Sequence, residues 1–159
     1  MPIVIRSATD NDAAAIAQLN THVQSIHADA HPWRFKQPSD MSPTAADIAA
    51  IIAQANYFAF IADIAGTPVG YLTGEIVLRA ESPFHHAHDS VHLHHISVDP
   101  RARRQGVARS LMDAAKARGA EAGISLMTLD VWDFNAAARA FFASYGLVPS
   151  YQRLWNRKD

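Results

Sequence analysis

The amino-acid sequence predicts a mixed α/β fold, one mixed sheet with helices packed on both faces. Three observations carry that reading. Strand-like segments alternate with segments of helical apolar spacing along the chain. Residues 57–64 and 69–78 are strand-like runs separated by Ala65-Gly66-Thr67-Pro68, which describes an antiparallel hairpin. An apolar-rich run over 91–98 is followed by a short basic loop with one glycine, then by Leu111, Met112, Ala114 and Ala115 at helical spacing. At 159 residues and 49% hydrophobic content, the chain is sized for one domain, residues 1–159, with a proper core.

The elements follow in order. Ile3 and Ile5 alternate with Val4 and Arg6 as in a short strand. Thr9 or Asp10 supplies an N-cap for a helix through Ile16, Leu19, Val23 and Ile26. Residues 31–44 hold Pro32, Pro38 and Pro43 and read as loop, carrying Trp33 and Phe35. Ser42 or Thr44 opens a second helix through Ile48, Ile51 and Ile52. The hairpin comes next, then a polar, His-rich connection over 80–90. A strand at 91–98, a helix near 106–122, a strand near 125–132, a helix near 135–145 and a last strand over 147–155 complete the chain.

Composition narrows the function. The formal net charge is −1, so no global basic field argues for nucleic acid, and the arginines cluster locally instead. The absence of cysteine removes disulfides, thiolate nucleophiles and cysteine zinc sites together, and fits a reducing compartment. The opening Met-Pro-Ile-Val-Ile-Arg is too short and too quickly polar for a signal peptide. No run approaches the ~20 apolar residues that a membrane helix needs. The expected setting is cytoplasmic, with neither nucleic acid nor membrane as partner.

The strongest local signal is Arg103-Arg104-Gln105-Gly106-Val107-Ala108, continued by Arg109. Strand, basic loop with one glycine, then helix is a construction for holding phosphate. The first turn of a helix has unpaired N–H groups and the positive end of its dipole. Gly106 lets backbone approach a ligand with no Cβ in the way, Ala108 keeps the next turn small, and the arginines add charge for phosphate oxygens. No Gly-Lys-Ser/Thr follows and no three-glycine fingerprint is present, which excludes a nucleotide P-loop and a dinucleotide site.

The stretch resembles the R/Q-x-x-G-x-G/A loop of the GNAT superfamily, the acyl-CoA-dependent N-acyltransferases, here reading Arg103-x-x-Gly106-x-Ala108. Further on, Asp130-Val131-Trp132-Asp133-Phe134-Asn135, followed by Ala138, Phe141, Phe142, Gly146 and Leu147, is similar to the family's second signature: a strand-end asparagine, then an aromatic pair and Gly-hydrophobic. The likeness covers essentially the whole chain. It implies a GNAT-type fold, mostly antiparallel with a splayed parallel pair, and acetyl-CoA as co-substrate. By the same resemblance, the backbone of Ile96, Ser97 and Val98, the stretch from Arg103, Arg104, Gln105, Gly106, Val107 and Ala108 to Arg109, Asn135 and Phe142 would hold that cofactor.

The residues of the 91–98 strand point the same way. Its apolar parity breaks, with Val91 and Leu93 at odd positions and Ile96 and Val98 at even ones. A β-bulge near His94–His95 is therefore expected, unless the strand is simply buried on both faces. His94 and His95 stand where family members often carry the acidic residues that activate the amine, and imidazole has the right pKa for that work near neutrality. Neighbours on a regular strand face opposite ways, so one of the two is expected to be essential and the other to matter little. A structural hydrogen-bonding role is the alternative for either, and Glu75 is a further candidate base.

Family members commonly place a tyrosine at the second paired aromatic, where it protonates the CoA sulfur; this chain has Phe142. Tyr145 lies three residues on and could share that helix face, with packing as its other role. Asn135 would bond the pantetheine arm or merely cap its helix. Six of the nine histidines fall between His85 and His95, but no cysteine or well-spaced carboxylate joins them, so no metal is expected. Trp33, Phe35, His22, His27 and His31 lie where the family builds the acceptor-site wall, or else pack together. The resulting expectation is an N-acetyltransferase acting on a primary amine without a covalent enzyme intermediate. The alternative is a non-catalytic acyl-CoA-binding module. A homodimer stays open, and the acceptor is not legible, because function lives in the site grafted on the fold.

Overall fold

Alternation and capping place the elements close to where the sequence puts them. In the computed structural model, which describes residues 1–157, the strands are β1 Ile3–Ser7, β2 Tyr57–Ile64, β3 Thr67–Val77, β4 Ser90–Val98 and β5 Met127–Leu129. The helices are α1 Ala13–Ala30, α2 Ala45–Ile52, α3 Val107–Glu121 and α4 Ala136–Tyr145. The sheet order is β1-β2-β3-β4-β5. The first four strands pair antiparallel, and β4 pairs β5 in parallel. This is the mixed sheet that the sequence predicts.

Local chemistry explains the boundaries. The β2–β3 turn is made by Ala65 and Gly66, both left-handed at φ 51° and 74°, the twist that suits a two-residue hairpin. Thr44 opens α2 with a capping box, accepting Asp47 N–H while the Asp47 carboxylate accepts from Thr44. Asn135 caps α4 at one end, and left-handed Gly146 stops it at the other.

Two apolar layers enclose the sheet. On one face α3 packs Val107, Leu111, Met112 and Ala115 against Leu72, Val91 and Leu93, with Phe141, Phe142 and Tyr145 of α4 alongside. On the other face Ile16 and Leu19 of α1 and Ile48 of α2 pack on Ile61 and Tyr71. Each large side chain so buried contributes about 1.5–3 kcal/mol. Helix α3 comes close to β4 because Gly119 has no side chain: a Cβ there would stand 2.5 Å from Val91 Cγ2 and 2.9 Å from Ile124 O. Arg6 ties β1 to β2 and to the turn before α1, through Asp63 at 2.7 Å and a two-pronged pair with Asp12 at 2.8 and 2.9 Å.

The expected last strand is not formed. Residues 147–155 make no ladder, and Val148, Tyr151 and Leu154 lie exposed. Pro149 has no N–H to give, and β5 offers an edge of only three residues to pair with. Among the described residues, no helix is long and apolar enough to cross a membrane.

Candidate active site

The parity break in β4 is resolved by a bulge. On β3, Thr73 faces His95 and the next residue, Gly74, faces Leu93, so His94 is the extra residue. Gly74 accommodates the crowding there, since a Cβ would meet Phe58 Cζ at 2.6 Å and His92 O at 2.8 Å.

The bulge corrects one expectation. Thr73 and Glu75 are two apart on β3 and share a face, so their partners His95 and His92 share it too. His94 contacts both Glu75 and His92 and joins them. His94 and His95 therefore point the same way, toward the α1 side, because the inserted residue undoes strand alternation. His94 Nε2 lies 3.2 Å from Glu75 Oε1. The Tyr57 ring stacks on the His94 ring at 5.1 Å and 4°. His92 meets His94 edge-on at 4.9 Å, and its Nδ1 lies 2.8 Å from Thr128 Oγ1 on β5. Tyr57 and Thr128 were not singled out from the sequence, since only strand register brings them here.

His95 is solvent-exposed, yet its imidazole is pushed below its ordinary pKa by desolvation first, then by His94 and by His27 of α1. His92 is shifted in the same direction, by burial and then by His94. Both rings are thereby kept neutral near pH 7, as a proton acceptor must be.

Beside this stripe the sheet opens. The last β4–β5 pair is Leu93 with Leu129, and β4 runs on through Val98 without β5. Ile96 and Val98 turn their side chains into the α3-side core. Ser97 is buried and donates its hydroxyl to Leu19 O at 2.8 Å, so only its backbone can serve a ligand.

The loop at the far end of β4 has the form the sequence suggests. Arg104 and Gly106 are left-handed, at φ 61° and 88°, and Gly106 is the N-cap of α3. The N–H groups of residues 106–109 find no acceptor among the described residues, and nothing lies within 4 Å of where a Gly106 Cβ would stand. Val107 buries its side chain and leaves only its N–H outward, whereas Arg103, Arg104 and Gln105 are exposed. Arg103 Nε donates to Val98 O at 3.4 Å, and Gln105 Nε2 to Arg101 O at 3.2 Å. Such a turn, open at a helix N-terminus, fits a phosphate group.

At the third corner, Asn135 Oδ1 accepts Ala138 N–H at 3.1 Å, the capping bond. Phe142 packs partly buried against the core, 5.4 Å from Phe141. The Tyr145 hydroxyl donates to Asp113 at 2.7 Å, and its pKa is pushed up to about 12 by burial and then by that carboxylate. Arg109 lays its guanidinium over the Tyr145 ring at 5.3 Å, so this side chain is parked on α4. The histidines of the 80–90 connection sit on an exposed loop, and no group of three or more metal-ligating side chains occurs among the described residues. A separate cleft of about 630 Å³, lined by Arg6, Tyr57, Arg118 and Glu121 among others, shares only Tyr57 with the imidazole stripe.

Comparison with known proteins agrees with this fold. The model of the acetyltransferase (GNAT) family matches residues 21–147. No curated protein matches the chain. Among solved structures, the tetramutant of the BH1408 protein from Bacillus halodurans superposes with TM-score 0.91 at 22% identity, over 98% of this chain and 99% of that one. The aminoglycoside N-acetyltransferase AAC(6')-Iy in complex with CoA gives 0.75 at 19% identity, over 99% and 95% of the two chains. An aminoglycoside acetyltransferase from an uncultured soil metagenomic sample, in complex with sisomicin, gives 0.68 at 19%, over 99% and 95%.

Proposed function

The chain belongs to the acetyltransferase (GNAT) family, and from that premise we propose that it transfers the acetyl group of acetyl-CoA directly to the nitrogen of a primary amine. The observation that carries the proposal is the β4 bulge. It sets His94 and His95 on one face, beside the point where β4 leaves β5, with the phosphate-type loop at the end of the same strand.

Acetyl-CoA supplies an activated acyl group as a thioester. The chain's residues divide the remaining work. The N–H groups from Gly106 to Arg109 bind the pyrophosphate, assisted by Arg103, Arg104 and Gln105. Backbone groups of Ile96, Ser97 and Val98 on the edge that β5 leaves open and the amide of Asn135 hold the pantetheine arm and donate toward the carbonyl oxygen as negative charge grows there. His95 takes the proton from the attacking amine, being neutral and solvent-reachable. His94 is held beside it by Glu75 and by the Tyr57 ring, and the proton leaves His95 to solvent. Phe142 supports the sulfur by contact alone, so the proton for the leaving thiolate comes from solvent.

One observation favours a second reading. Phe142 has no proton to give and the Tyr145 hydroxyl is engaged by Asp113, as suits a module that binds acyl-CoA without turning it over. Release of CoA thiol across a panel of amines decides between them. Catalysis by this site predicts turnover of some amine, lost by about a hundredfold or more in kcat in His95→Ala with acetyl-CoA affinity unchanged. Binding without turnover of any amine supports the module instead.

A further inference from the structure

The cleft of about 630 Å³ at the end of β1 takes no part in the proton and phosphate chemistry above. Its origin lies in the residues that α3 presents there. Ala114, Ala117, Arg118 and Glu121 recur at the spacing of one helix stripe, and all four line the cleft opposite Ile5 and Phe60. On the neighbouring stripe Leu111, Met112 and Ala115 close the core. Two alanines in place of large side chains leave the space open, and Ile5 and Phe60 stay only partly buried. The cleft shares only Tyr57 with the imidazole stripe, so it is a second site and not an extension of the first.

Its charges define what it would take. Arg6 is already committed, to Asp63 at 2.7 Å and to Asp12 at 2.8 Å. Arg118 is half-buried, yet its guanidinium has no hydrogen bond or ion pair among the described residues. The carboxylates of Asp10 and Glu121, also on the lining, are exposed and equally without a partner. A partly desolvated guanidinium gains most from a carboxylate that can accept from two of its N–H groups. Glu121 stands one turn along α3 from Arg118, about 5–6 Å between Cβ atoms at that spacing. A single α-amino acid can turn its carboxylate to the one and its ammonium to the other. A simple anion would meet the two free carboxylates, and a simple cation would meet Arg118. The floor of Ile5, Phe58 and Phe60 then favours an apolar side chain over a charged one.

We infer that this cleft binds a free α-amino acid with an aromatic or branched apolar side chain, its carboxylate on Arg118 and its ammonium on Glu121. The inference is independent of the acetyl-transfer reading, since neither residue belongs to that site. Calorimetric titration of the full-length chain compares L-phenylalanine with 3-phenylpropionate, which lacks the ammonium, L-phenylalaninol, which lacks the carboxylate, and L-lysine. L-phenylalanine should bind at least about fivefold more tightly than each of the other three. Arg118→Gln removes the carboxylate's partner, and Ala117→Leu fills the cleft from an exposed position outside the core. Each should weaken L-phenylalanine by about fivefold or more and leave acetyl-CoA affinity unchanged. Equal binding of 3-phenylpropionate, L-phenylalaninol or L-lysine overturns the inference, as does an absence of binding at ~10 mM L-phenylalanine. Affinity that survives either variant, with the fold kept, would place the amino acid elsewhere on the molecule and refute the site.

Discussion

His95 joins a backbone irregularity to a chemical property. Its parity with His94 could be read as a bulge from Val91, Leu93, Ile96 and Val98, but the consequence could not, because alternation predicts opposite faces until the register against Thr73 and Gly74 is known. The lowered pKa of His95 has a definite sign. In the folded chain the ring binds its proton more weakly than the ordinary imidazole value of 6.5, so kcat should stay level as pH falls to that value and decline only below it. A kcat–pH profile with its acid limb under 6.5, absent in His95→Gln, is the expected result. Linkage gives the matching stability effect. The folded state carries fewer protons at His92 and His95 than the unfolded chain, so their contribution is fully present above 6.5 and lost as pH falls through the folded values. Urea midpoints at pH 7.5 and 5 should differ more for the wild type than for His95→Gln. Phe142 makes the other single-residue test. Phe142→Tyr adds one hydroxyl to a partly buried ring and should raise kcat on a responsive amine with acetyl-CoA affinity kept. Tyr145→Phe should leave kcat unchanged, since its hydroxyl serves Asp113.

Helices and strands differ in how far the sequence discloses them. The hairpin, α3 and α4 carry their own punctuation in Gly66, Gly106, Asn135 and Gly146, and each lies within a residue or two of its expected place. Strand β5 and the segment after Gly146 do not. Leu147, Tyr151 and Trp155 share the odd parity of one strand face, but a strand exists only where a partner edge accepts its hydrogen bonds, and pattern alone contains no information on that partner. Close approach between elements is equally hidden. Gly119 looks like a poor helix residue, yet it is where α3 touches Val91 of β4. Gly119→Ala should therefore destabilise by about 1–3 kcal/mol despite the better helix propensity of alanine, seen as a lower urea midpoint with unchanged slope. Were propensity to dominate, the midpoint would rise. The basic loop depends on shape instead of packing. Arg103→Ala should weaken acetyl-CoA binding modestly, and added salt should shrink the difference as the exposed charge is screened.

At the scale of the molecule, the proposed cofactor site is a junction, and that has a thermodynamic signature. One sheet separates an α1–α2 layer from an α3–α4 layer. The residues assigned to acetyl-CoA lie on β4, at the start of α3 and on α4 with its cap, so a ligand held by all three ties the end of the sheet to the two helices of one layer. Family resemblance suggests that assembly from two short signatures, whereas the imidazole stripe depends on strands far apart in sequence. A ligand that binds only the folded chain stabilises it by RT ln(1 + [L]/Kd), about 2.7 kcal/mol at a hundredfold excess over Kd. For a chain of this size, each kcal/mol moves Tm by roughly 2–4 °C, so saturating acetyl-CoA should raise Tm by about 5–10 °C. Gly106→Trp isolates the loop. A non-glycine residue at φ 88° costs roughly 1–2 kcal/mol, and the new side chain points into open space, so the variant should melt a few degrees lower and remain folded. Its indole would occupy the face where the N–H groups of residues 106–109 stand open. The shift with acetyl-CoA should then disappear. A full acetyl-CoA shift in folded Gly106→Trp would mean that the pyrophosphate binds elsewhere, and the assignment of the loop would fall with it.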